Sequence, residues 1–234
     1  MRRSLVEIVT TQILDRIASR EFAPGTVLPS EDDLAKLMDA SRPTCREAVK
    51  VLCTQNVLRS VQGRGTFVNP VGKWTSLDAL LRMHDGDRQE AMIQLIDVRT
   101  LIEIGAAELF APLCTAEQLD MMEADLDIMR VGHSENNVQS FVDADIAFHQ
   151  RILEGCENPF IPATFRPIAR VLQEGRFQTS SVAEIRVNAI AEHTHIVTAL
   201  KSGSPESAGA AMRSHLEQTR RDAVRHKVPL RRSA

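Results

Sequence analysis

Tyrosine is absent from this 234-residue chain, tryptophan occurs once and aromatic residues make up only 4% of it, so any sizeable core has to be built from aliphatic side chains. Cys45, Cys53, Cys114 and Cys156 lie far apart with no C-x-x-C pair, which excludes a zinc-finger spacing and a disulfide-dense secreted scaffold. No apolar run approaches the roughly 20 residues needed to cross a bilayer. The opening MRRSLVEIVTTQILDRI mixes two arginines with Glu7 and Asp15 in an amphipathic pattern. It reads as a helix and not as a cleaved secretory leader, so a cytoplasmic location is expected.

What is present is unevenly distributed. Residues 1–70 hold ten Lys/Arg against eight Asp/Glu, whereas the remainder holds 18 against 23, within a chain of net charge −3. The basic excess concentrates between Ser41 and Arg64, where Arg42, Arg46, Lys50, Arg59 and Arg64 face the single acid Glu47. The same region has its own local grammar. Ser30 precedes Glu31, Asp32 and Asp33, an N-cap followed by acids that suit the positive end of a helix dipole, so a short helix starts near Glu31. Ser41 caps a second helix with Pro43 in its opening turn, and Ala48, Val49, Leu52 and Val57 follow at roughly helical spacing. A hairpin then carries Gln62-Gly63-Arg64-Gly65 at its tip, where two glycines permit a tight turn and close approach to a phosphate. Two helices and a basic hairpin form a winged helix-turn-helix, a module that reads double-stranded DNA. The competing reading of the basic helix is a solvated charged face.

The order LPSEDDLA, SRPTCREAVKVL, VQGRGTFV resembles the DNA-binding domain of the GntR family of bacterial transcription regulators over roughly residues 5–69. The resemblance implies that Ser41, Arg42, Thr44 and Arg46 contact the groove and backbone, and that Gly63, Arg64 and Gly65 sit in or beside the minor groove. Many members carry arginine directly after the glutamate of the first motif. Here that position is Asp32, which would repel a phosphate, so one backbone contact fewer is expected.

Asn69-Pro70-Val71-Gly72 supplies breakers, which places a domain boundary near residue 72: a winged helix-turn-helix over 1–71 and a second domain over 72–234. Beyond it the periodicity is helical throughout, with helices expected at about 76–83, 88–110, 116–131, 137–154, 159–177, 181–202 and 205–226. Breaks at Ala111-Pro112, 132–136, 155–159 and 203–205 argue for an antiparallel all-α bundle joined by short turns. The expected fold is therefore mainly α, with a two-stranded wing.

Asp145 and His149 stand at i and i+4 and project from one helix face. His193 lies about ten residues before the Gly203-Ser204 turn and His215 about eleven after it, so an antiparallel hairpin brings them to similar height. One Asp and three His from three helices suit Zn²⁺, with Ni²⁺ or Mn²⁺ as alternatives. His195 competes with His193 but lies some 200° around the helix from it. The bland alternative for Asp145 and His149 is a surface pair. The runs DVRTLIE, DIAFHQRIL, EHTHIVTAL and AAMRSHL resemble the FCD effector domain of the FadR subfamily, and that resemblance matches Asp145, His149, His193 and His215 to its metal ligands. It also implies that Arg99, one turn before Glu103, lies beside the pocket as a clamp for an organic-acid carboxylate. A surface ion pair between the two is the rival reading. The segment 73–78 resembles regulators of sugar-acid catabolism.

The expectation is a repressor that binds a palindromic operator as a homodimer and is released by a small carboxylate, a sugar acid by the last resemblance, at a divalent-metal site. An alternative makes the ion itself the effector. A metal-dependent hydrolase is a rival of another class, but no H-E-x-x-H motif is present, a hydrolase has no use for a basic wing, and no catalytic residue is assigned.

Overall fold

The computed structural model describes residues 4–84 and 88–227; residues 1–3 and 228–234, at the ends of the two expected domains, lie outside them. The chain divides into two compact units at the Asp87–Arg88 junction.

The first unit opens with α1, Leu5–Ala18. Ser4 caps it by accepting from the Glu7 amide while the Glu7 side chain reaches back to the Ser4 amide, a reciprocal capping box that satisfies two otherwise orphaned donors. Helices α2, Glu31–Leu37, and α3, Arg42–Thr54, follow as expected, capped by Ser30 and Ser41. The aliphatic side chains Val9, Ile13, Ile17, Leu34, Leu52 and Leu58 close the core, together with Cys45, which is fully buried. Strands β1, Leu58–Val61, and β2, Gly65–Val68, pair antiparallel in the register Leu58↔Val68 to Val61↔Gly65. Gly63 and Gly65 adopt φ of 71° and 102°, which residues with a Cβ rarely tolerate, so the turn requires glycine at both positions.

The boundary of this unit differs from the one expected near residue 72. Trp74 and Ala79 are buried in the N-terminal core, and the Trp74 indole donates to the Asn69 carbonyl at 3.0 Å. Helix α4, Leu77–Met83, packs on α1, where Arg82 pairs with Asp15 at 2.5 Å. The breakers at 69–72 thus make a turn inside the unit, and the segment after them folds back onto it.

The second unit is all helical among the described residues: α5, Arg88–Phe110; α6, Ala116–Ser134; α7, Val138–Gly155; α8, Phe160–Ser180; α9, Ala183–Lys201; and α10, Pro205–Arg225. Helix α5 packs against α10 and α7, α6 against α7 and α9, and α8 against α7. Pro167 sits inside α8, which the periodicity extends past the loss of one amide donor. No described helix is long and apolar enough to cross a membrane. Close packing shows at the end of α7, where a Cβ on Gly155 would lie 2.3 Å from the ring of Phe110, itself fully buried. Gly155→Ala is therefore expected to lower stability by roughly 1–3 kcal/mol through overpacking, read as a lower denaturant midpoint with an unchanged slope. An unaltered midpoint would show that the Phe110 ring can yield.

Candidate functional site

Helix α7 presents Asp145 and His149 on one buried face; α9 contributes His193 and α10 His215. The donor nitrogens of the three histidines lie within 4.8 Å of one another, and theirs is the one such cluster of three potential ligands among the described residues. The exposures are 2%, 0% and 4%, so a surface origin for the Asp145 and His149 pair is excluded by burial. His195 is exposed and takes no part.

Hydrogen bonding fixes which ring nitrogen faces the cluster. His193 Nδ1 is 2.6 Å from the Ala189 carbonyl, which can only accept, so that nitrogen carries the proton and Nε2 keeps its lone pair. His149 Nδ1 lies 2.5 Å from Glu103 Oε2, while Arg99 Nη2 stands 3.3 Å from His149 Nε2, an arrangement that requires a lone pair at Nε2. His193 Nε2 and His215 Nε2 are buried without a hydrogen-bond partner. His193 Nε2 is also 3.1 Å from Asp145 Oδ1. Two acceptors face each other there in a dry interior, a contact that a shared cation relieves. The carbonyl behind His193 and the carboxylate behind His149 are the kind of partner that orients metal-bound histidines. The donor set, three imidazole nitrogens and a carboxylate, fits Zn²⁺ or a neighbouring first-row divalent ion.

The electrostatics agree. Burial pushes His149, His193 and His215 below the ordinary imidazole value, His193 and His215 well below it, so all three are neutral near pH 7. Burial alone would raise Glu103, but Arg99 and His149 outweigh it and hold that carboxyl well below the usual range. Arg99 is buried and donates to Glu103 Oε1 at 2.7 Å, so the pair is a buried one and not a surface bridge. Its guanidinium faces the histidines. Sequence reasoning missed Arg176, which reaches from α8 to pair with Asp145 Oδ2. Nothing in local spacing connects residues 31 apart on different helices.

On the first unit, Ser41 Oγ accepts from the Thr44 amide and bonds its hydroxyl at 2.8 Å. Arg42 pairs with Asp32 at 2.8 Å, and Arg46 forms a forked pair with Glu31 at 2.7–3.1 Å. Asp32 thus has an arginine to hold. The Arg46 hydrogen bond keeps the Glu31 carboxyl below its ordinary value. All four side chains are about half exposed or more, so solvent screens both pairs and the arginines are free to exchange partners. Arg64, Gly63 and Gly65 form the exposed wing tip, and Arg59 lies 4.8 Å over the Phe67 ring behind it.

Two family models match the chain. Residues 5–68 match "Bacterial regulatory proteins, gntR family", and residues 94–218, more than half the chain, match "FCD domain". The chain belongs to the GntR family, with an FCD domain. It is a DNA-binding transcription regulator. Among its relatives, the transcriptional repressor NanR of Cronobacter sakazakii is 28% identical, the match covering 92% of this chain and 84% of that protein. The regulator LutR of Bacillus subtilis is 29% identical, covering 86% and 92%. A solved GntR structure from Streptococcus agalactiae aligns with a TM-score of 0.51 at 28% identity, covering 93% of this chain and all of that one. Lar of Listeria monocytogenes shares the fold with a TM-score of 0.65 at 19% identity, over 96% and 99%.

The imidazole shifts set a pH dependence. As pH falls below about 6.5 the unfolded chain takes up protons that the folded site resists, so stability present at neutral pH is lost towards acid, by up to roughly 1.4 kcal/mol per pH unit for each site. Denaturant melts in chelator at pH 8 and 5.5 should show this loss, smaller in His215→Asn. Equal losses in both proteins would contradict the assignment.

Proposed function

We propose that this GntR regulator binds a palindromic operator as a homodimer, acts as a repressor, and is released when a small carboxylate binds at a divalent ion held by Asp145, His149, His193 and His215. The observation that carries the ligand's charge is the charge balance of the buried site. Arg99 and Arg176 stand against Glu103, Asp145 and Asp222, with neutral histidines between them. Asp222 is held by the amides of Asn188 and Gln218 at 3.0–3.3 Å, which leave its charge uncancelled. These groups sum to one negative charge, and a divalent ion turns that into one positive charge in excess. A buried excess charge is costly, and one carboxylate removes it. Arg99, aimed at His149 from a buried position, is the fixed guanidinium that such an acid would meet beside the ion.

The operator reading rests on the positions of Ser41, Arg42, Thr44 and Arg46 at the start of α3, whose other face buries Cys45, Ala48 and Leu52, together with a glycine-turned basic wing. One module of this size reads few base pairs, and two tied modules gain by effective concentration, which is why a two-fold operator is proposed. The acid acts by binding two arrangements of the dimer unequally, since a ligand of equal affinity for both shifts nothing.

Arg42→Ala should weaken operator binding by about 1–3 kcal/mol in a fluorescence-anisotropy titration while leaving zinc content unchanged. Unchanged DNA affinity would remove Arg42 from the reading surface. His193→Ala should purify with little bound metal yet still bind operator, and full metal occupancy in that variant would sink the site. Operator affinity that shifts on adding metal alone would make the ion the effector.

A further inference from the structure

Helix α8 carries Arg176 into a position that joins two chambers. One is a cavity of about 310 Å³ between α7 and α8, whose wall is formed by Ile146, Leu153, Pro162, Phe165 and Ala169. The other is a chamber of about 40 Å³ that includes Asp145, His215 and Arg99. His149 lines the first chamber, and Arg176 lines both. The small chamber has room for an ion and the head of an acid, but not for an acid's tail. The larger one has room for a small acid, and its wall is mostly hydrocarbon.

We propose that Arg176 is a built-in counter-cation that holds Asp145 in the metal-free protein, and that a monocarboxylate with an apolar tail, seated between α7 and α8, draws it away so that acid and metal bind cooperatively. The inference rests on the metal reading above and adds a regulatory element and a ligand class to it. Asp145 has one oxygen on Arg176 and the other 3.1 Å from His193 Nε2. While Arg176 is engaged, the carboxylate that a divalent ion needs is already neutralised, and the guanidinium charge repels the ion. A carboxylate in the larger chamber offers the same guanidinium a planar two-oxygen partner. Moving onto it frees Asp145, and the acid's tail is left against Phe165, Leu153 and Ile146. Phe165 is 3% exposed, so its ring belongs to a formed wall. Arg166 and Glu154 at the same cavity offset one another in charge. Besides Arg176 the polar lining is His149, Gln150, Glu154 and Arg166, with Gln150 already donating to Glu154, so a hydrocarbon tail fits the remaining wall better than the hydroxylated body of the sugar acid expected from residues 73–78.

Coupling is reciprocal: whatever factor the acid adds to metal affinity, the metal adds to acid affinity. Zinc affinity of the full chain, measured by competition with a chromogenic chelator, tests this with straight-chain monocarboxylates from butanoate to octanoate as probes. In the wild type at least one of these acids should tighten zinc by about five-fold or more, and gluconate should not. Arg176→Met should bind zinc about tenfold more tightly without acid and lose the acid response. Arg176→Lys, which keeps the charge, should not gain zinc affinity; Arg176→Gln replaces the methionine variant if circular dichroism shows that the latter is misfolded. Wild-type zinc binding with no gain in either neutral variant, or with no response to any of these acids, overturns the inference and leaves the metal site standing. If wild type and His193→Ala both fail to bind zinc, the metal reading falls as well.

Discussion

Three neutral imidazoles packed into the middle of a helical bundle set the terms for the rest of the C-terminal unit. Two of them, His193 and His149, have one nitrogen satisfied within the protein and the other turned to the cluster. Ala189's carbonyl and Glu103's carboxylate take the Nδ1 protons of His193 and His149, which directs both Nε2 lone pairs inward. Glu103 in turn needs Arg99, since an isolated carboxylate at 1% exposure would not stay ionised. The chain from Arg99 through Glu103 to His149 is therefore one electrostatic unit, and removing its first member unsettles the last. Phe148 packs edge-to-face on His193, their ring centroids 4.5 Å apart.

The N-terminal unit uses charge in the opposite way. Its ion pairs, Arg42 with Asp32 and Arg46 with Glu31, are exposed, so solvent screens them and each arginine can exchange partners. Asp32 holds Arg42 at 2.8 Å. The buried pairs of the C-terminal unit and the open pairs of the N-terminal one thus suit different tasks: the first holds donor atoms in place, the second can exchange partners.

Much of this was legible in the sequence because it is written locally. Serine caps, a proline in a helix's first turn, glycines with positive φ and an i,i+4 pair are all short-range rules, and they located α2, α3, the wing and the inward face of α7. His193 and His215 were reachable because an antiparallel hairpin converts distance from its turn into height. Two features were not legible. The turn at 69–72 carries breakers, yet a buried indole and an Arg82–Asp15 pair draw the following helix back onto the first unit, and such tertiary contacts leave no local trace. Arg176 has no spacing that ties it to Asp145, because the link depends on how α8 lies along α7.

The central claim is that these histidines and Asp145 hold a divalent ion. X-ray absorption at the zinc edge of the zinc-loaded, full-length protein tests it most directly, since imidazole rings give an outer-shell scattering pattern that water and carboxylate do not. The account predicts a first shell of nitrogen and oxygen only, with three imidazoles, reduced to two in His215→Asn. A shell of water and carboxylate oxygens, any sulfur ligand, or an imidazole count unchanged by that substitution would contradict it.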